Sequence, residues 1–163
     1  MVEPTGTVSE HGETAELMLE RRVTNDAIAV WPFFAESREL SSWFGGYVGD
    51  PDAGEVVVSM TAEDGQATTA VEILDCDAPE HLAVVTSDEH GSWSLEVELI
   101  DRGHEAGAGT IIRFTHHDVP LAALPEIGPG WEWYLDRLVA ALSGQPMPDR
   151  DDYYPALRDA YLR

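Results

Sequence analysis

The chain has 163 residues, 44% of them hydrophobic, and sets 31 acidic residues against nine arginines and no lysine, for a formal net charge of -22. A domain of this length buries roughly two-thirds of its unfolded surface, so it needs no disulfide or structural metal to fold. The charge repels nucleic acid and anionic bilayers, and no basic patch interrupts it, so neither is an expected partner. The acidity reads first as a strongly solvated surface, and second as the mark of a salty cytoplasm or a basic partner.

The single cysteine, Cys76, excludes a disulfide within the chain. Its neighbours Asp75 and Asp77 do not suit a nucleophilic thiolate. The polar start MVEPTGTVSEHGE is no signal peptide. The longest apolar run, AIAVWPFFA (residues 27–35), is too short to span a bilayer. The expected location is the cytoplasm.

In chain order, residues 1–13 are expected to be a flexible arm. TAELMLERRV (14–23) reads as a half-buried strand with Leu17, Leu19 and Val23 on one face. Thr24 or Asn25 is the expected helix cap, with Asp26 in the first turn. Ala27, Ile28, Trp31, Phe34 and Ala35 then recur at helical spacing. Pro32 lacks the N–H that would reach back to Ile28, so this helix kinks or breaks. RELSSWF (38–44) gives a second short helical piece, ended by Gly45 and Gly46. Five strands follow: EVVVSM (55–60), ATTAVEILD (67–75), LAVVTS (82–87), SWSLEVELI (92–100) and TIIRFTHH (110–117). Turns are expected at 50–54, 63–65, 78–81, 88–91 and 102–109. In SWSLEVELI, Trp93, Leu95, Val97 and Leu99 face inward. In TIIRFTHH, Ile112, Phe114 and His116 share one face, while Arg113 faces water and pairs with a surface acid. The short connections argue for antiparallel pairing.

Residues 118–128 are expected as an irregular link, with a long helix starting near Gly130. Trp131, Tyr134, Leu135, Leu138 and Leu142 mark its broad apolar face, and Ser143-Gly144 stops it. A linker and a short helix over 152–162 end the chain. A sheet with one apolar face must be covered, and the late helix is the one long cover available. The fold class is therefore α+β.

Three stretches together resemble a known family: VTNDAIAVWPFFAESRELSSWFGG (23–46) with Trp31, Leu40 and Trp43, TIIRFTHH (110–117), and GWEWYLDRLVAAL (130–142). The chain resembles the START-like superfamily, also called SRPBCC or Bet v 1-like. Within it, the chain is most similar to the family named after the C-terminal domain of the activator of heat-shock protein 90 ATPase. The likeness covers roughly residues 14–144. It implies a helix-grip fold: a curved antiparallel sheet wrapped around a long C-terminal helix, with two small helices near the N-terminus and often a cavity between sheet and helix. The tyrosine-rich acidic tail, 145–163, runs past the family pattern and is expected to fold back over the surface or to bind a partner. Chaperone activators of this kind usually carry a second, N-terminal domain; none is expected here, so the activator role is not carried over. Other relatives bind lipids or hormones or cyclise polyketides, and the fold does not choose among them.

His116-His117-Asp118 is the most tempting chemical cluster. Adjacent strand residues point to opposite faces, so the two histidines meet one metal only if the strand ends there. His81, His90 and His104 fall in expected loops without ligand spacing. No metal is expected. No cofactor is expected either: GAG (107–109) is only a turn, and GGYVG (45–49) does not open a long helix. His117 reads as solvated, and His116 as capping its strand or lining a pocket. The candidate cavity residues are Met60, Trp93, Leu95, Phe114, His116 and Trp131, with His116 as the polar anchor.

The leading expectation is a domain that binds a small hydrophobic molecule, as a monomer or homodimer. One alternative is a protein-interaction or co-chaperone-like regulatory module. It requires Trp133, Tyr153, Tyr154 and Tyr161 to leave a contiguous apolar patch. The other is a cyclase- or hydrolase-type enzyme, for which His116 is the sole candidate acid–base group.

Overall fold

The computed structural model describes residues 2–63, 67–89, 91–103 and 109–163. Eight strands form one antiparallel sheet: β1 (Thr7–His11), β2 (Thr14–Val23), β3 (Tyr47–Val48), β4 (Glu55–Ser59), β5 (Thr68–Asp77), β6 (His81–Asp88), β7 (Gly91–Asp101) and β8 (Thr110–Pro120). Their order across the sheet is β1-β2-β8-β7-β6-β5-β4-β3. Three single-turn helices, α1 (Ala27–Val30), α2 (Pro32–Ala35) and α3 (Ser37–Leu40), follow β2, and α4 (Leu124–Ser143) follows β8. This is the expected helix-grip architecture.

The expected alternation in β7 holds: Leu95, Val97 and Leu99 are buried. Across the ladder they meet His116, Phe114 and Ile112 of β8, which are also buried. β2 adds Leu17 and Leu19 on the other side. α4 lays Trp131, Leu135 and Leu138 on this inner surface, and all three are in the main core. Arg113, in opposite phase, pairs on the outer face with Glu20 at 2.8 Å and Glu98 at 3.0 Å.

Pro32 breaks the first helix as its missing donor requires. Trp31 N–H still reaches Ala27 O, and the next helical bonds return to Trp31 and Pro32 carbonyls. The break makes three one-turn helices where two small ones were expected. The cap is Asp26 itself, whose carboxylate accepts from Ala29 N–H at 2.9 Å, rather than Thr24 or Asn25. Ile28 lies off the buried face, 74% exposed.

Four expectations are corrected. Within the arm expected over residues 1–13, Thr7–His11 is an edge strand paired with β2. β3, a two-residue strand, is also additional. β8 runs on to Pro120, and α4 starts at Leu124 rather than near Gly130. Pro125 occupies the first turn, where no N–H is needed, and only Pro129 removes an interior donor. The tail forms two 3-10 turns, Arg150–Asp152 and Arg158–Tyr161, in place of a short helix. It does fold back, along a flank of α4 beside β2. Tyr153, Leu157 and Tyr161 are buried there, and Trp133 Nε1 donates to Pro148 O at 3.1 Å. The turn expected at 63–65, the connection over 102–109, and His90 and His104 lie partly or wholly outside the described residues.

One buried carboxylate ties both chain ends to α4. Glu132, fully buried, accepts from Thr5 N–H and Thr5 Oγ1, both at 2.5 Å, and from Tyr161 Oη at 2.6 Å. Arg21 of β2 pairs with it at 2.9 Å and with Asp136 at 2.8 Å.

Candidate ligand cavity

α4 lies over the β2, β8 and β7 part of the sheet, and the one-turn helices with the segment after them roof the rest. Between the two covers the structure leaves a cavity of about 150 Å³. Its sheet wall is built from alternate residues of β4 to β7: Val56, Val58, Val71, Ile73, Leu82, Val84, Thr86, Leu95 and Val97. The opposite wall is Phe34, Leu40, Trp43, Phe44 and Tyr47, and Phe114 and Trp131 close the end nearest α4. Valines are short, so the β4–β6 wall does not fill the space that the longer aromatic side chains leave. Phe44 stacks on Trp131 with ring centroids 6.1 Å apart, and Phe114 lies 4.3 Å from Trp131.

Cys76 also lines the cavity, for a reason local pattern does not show. β5 carries a bulge between Ile73 and Asp75, so Ile73 opposes Val84 and Cys76 opposes Leu82. The extra residue, Leu74, is 58% exposed, and the parity change turns Cys76 inward. Cys76 and Pro51, both in the wall, are exposed, so this end reaches solvent.

The polar atoms of the aromatic wall are engaged elsewhere. Trp43 Nε1 donates to Phe33 O and Tyr47 Oη to Ala35 O, each at 2.8 Å. Trp131 Nε1 donates to His116 Nδ1 at 3.1 Å. The rings therefore present carbon to the cavity. Among the described wall residues, only Thr86 and Cys76 add a further side-chain polar atom.

Of the six candidate residues, the structure places Leu95, Phe114 and Trp131 in the wall. His116 is on the inner face, as its phase in β8 requires, but behind Trp131 and outside the wall. To accept from the Trp131 indole its Nδ1 must carry no proton. Burial, reinforced by the neighbouring His117, pushes its pKa down to about 4, which keeps the ring neutral. Its Nδ1 is engaged by the Trp131 indole rather than turned to the cavity. Trp93 is 39% exposed and covers His116, with centroids 4.9 Å apart. Met60 is half-buried against the main core, outside the cavity. The valines of β4 to β6, and Phe34, Phe44 and Tyr47 of the opposite wall, were missed. Their signal was present in the period-two spacing of Val56 and Val58 and of Val71 and Ile73.

Two other expectations meet the structure here. His116 and His117 do point to opposite faces, and among the described residues no group of three or more His, Cys, Asp or Glu is arranged to hold a metal ion. Of the residues that an interaction patch requires, Trp133, Tyr153 and Tyr161 are each no more than 5% exposed, and Tyr154 is half-buried. Among the described residues no helix is long and apolar enough to cross a membrane, which says nothing of strand-built barrels.

Fold and cavity define a class: an α+β helix-grip domain with an apolar hollow between sheet and helices. A model of the family described as Activator of Hsp90 ATPase homolog 1-like protein matches residues 26–143, and the chain belongs to that family. Among solved structures, it is similar to CalU16 from Micromonospora echinospora, at 20% identity and a TM-score of 0.73 over 98% of this chain and 94% of that one. It is similar to EF2215 from Enterococcus faecalis, a conserved protein of unknown function, at 16% identity and a TM-score of 0.72 over 96% and 87%. It is also similar to DynU16, a putative protein in the dynemicin biosynthetic locus, at 18% identity and a TM-score of 0.68 over 83% and 50%. At these identities the likeness is one of fold. No match was found among curated proteins.

Proposed function

We propose that the protein binds a small, uncharged, apolar molecule about the size of one aromatic ring. The observation that carries this is the cavity of about 150 Å³ with its aromatic N–H and O–H groups turned outward. An apolar cavity of about 150 Å³ stays dry and takes up benzene or xenon in another protein. A charged ligand would lose its hydration here without a partner. One relative is consistent with this: DynU16 is described as a putative protein in the dynemicin biosynthetic locus. The enzyme reading gains nothing from His116, which lies outside the wall.

The test is thermal melting with toluene and, separately, benzoate. Toluene at about ten times its dissociation constant stabilises the fold by roughly 1.4 kcal/mol, a shift of a few degrees. Benzoate gives no shift, and Val84→Phe, which fills the space, abolishes the toluene shift. Equal shifts for toluene and benzoate, or a toluene shift that survives Val84→Phe, overturn the reading.

A further inference from the structure

Outside the cavity, on the solvent face of the sheet, a chain of charged groups crosses five strands. Asp75 of β5 meets His81 Nδ1 of β6 at 2.5 Å, and His81 Nε2 meets Glu96 of β7 at 2.5 Å. The other Glu96 oxygen meets His117 Nε2 of β8 at 2.8 Å, and His117 Nδ1 meets Glu16 of β2 at 3.1 Å. A neutral imidazole has one N–H and can donate to one carboxylate only. His81 touches a carboxylate through each nitrogen, so this arrangement requires the imidazolium.

We propose that His81 is a proton-dependent latch on the cavity mouth, closed by the imidazolium and released when the ring loses a proton. This rests on the reading of the cavity as a ligand site. Asp75 immediately follows the bulged Leu74 and precedes Cys76, which lines the cavity where it reaches solvent. Leu82, next to His81, is the wall residue opposite Cys76. The bridge Asp75–His81–Glu96 therefore clamps the turn end of the β5–β6 hairpin, where the cavity reaches solvent, to β7. Without the second proton, one carboxylate faces a lone pair, and the clamp loses a bond in a chain already at -22.

The charged groups around His81 all bear on its proton. They are Asp75 and Asp77 of β5, Glu80 in the preceding turn, and Glu96 and Glu98 of β7. Beyond Glu96 lie His117 and Glu16, and Arg113 is shared between Glu98 and Glu20. Hydrogen bonds to Glu96 and then Asp75 hold the His81 pKa above its ordinary value. Release therefore falls above the usual histidine range, near pH 6.5.

The experiment follows amide hydrogen exchange at Ile73, Cys76 and Leu82 from about pH 5.5 to about pH 8.5, corrected for intrinsic rates, beside the His81 ring titration by NMR. Toluene dissociation is measured over the same range. Protection and toluene residence time are expected to fall roughly three- to fivefold as His81 deprotonates, the scale of a partly exposed ion pair. His81→Gln is expected to abolish the pH dependence, whereas His117→Gln retains it. A wild-type exchange midpoint that does not coincide with the His81 titration overturns the latch, and so does an unchanged profile in His81→Gln. The exchange measurement needs no ligand. Failure of toluene to bind, with the exchange transition intact, therefore overturns the cavity reading and supports the latch.

Discussion

Glu132 shows what one side chain can hold. A buried carboxylate without partners would take up a proton rather than stay charged. Burial alone would raise the Glu132 pKa, but hydrogen bonds from Thr5, Tyr161 and Arg21 outweigh it and hold the group below its ordinary value. Glu132→Ala leaves Arg21 with Asp136 as its one carboxylate partner among the described residues and removes the carboxylate that Thr5 and Tyr161 share. It is expected to cost about 3 kcal/mol or more in urea unfolding, as removal of one partner of a buried pair does. The depressed pKa fixes the sign of the pH effect. This contribution is present above the unfolded-state value near 4.3 and is lost as pH falls through the lower folded value. Acid unfolding of the wild type should therefore carry a component below about pH 4 that Glu132→Ala lacks. None of this was legible in the sequence. Glu132 stands among 31 acidic residues, and its partners lie up to 127 positions away. His116 was half legible. Its phase in TIIRFTHH put it on the inner face, but the indole that occupies its Nδ1 comes from another element.

At the scale of elements, α4 is buried on two sides. Leu138, fully buried against the sheet, is expected to cost about 2–5 kcal/mol when cut to Ala; an unchanged denaturant midpoint contradicts that. On the other side, a Cβ placed on Gly128 would come within 2.5 to 2.6 Å of the Tyr161 ring. Gly128→Ala therefore has to push the tail off. It is expected to destabilise by about 1–3 kcal/mol and to speed limited proteolysis near residues 145–149. Wild-type cleavage rates in Gly128→Ala would show that the tail does not pack there. The sheet-facing stripe of α4 was readable from its spacing, and so was the alternation of β7. The helix start was not. The segment LPEIGPG reads as a string of breakers, yet Pro125 sits where no donor is needed and Gly128 makes room for Tyr161. β1 was missed because an edge strand that buries little has no apolar alternation to display.

At the scale of the molecule, the cavity follows from a mismatch of lengths. Eight strands make a sheet wider than one helix can cover, and α4 covers the part that includes β2. The β4 to β6 part falls to three one-turn helices and a few aromatic side chains, opposite a wall of valines. Local pattern supplied six of the eight strands and the late helix, in their order along the chain. Where the two covers fail to meet depends on contacts distant in sequence, which is why most of the cavity wall was not assigned beforehand. The measurement that tests this most directly is a crystal structure under xenon pressure. One xenon site bounded by Val84, Leu95, Phe114 and Trp131 is expected, with the cavity dry before the gas is added. Ordered water filling that space, or side chains closed over it with no xenon bound, would contradict it.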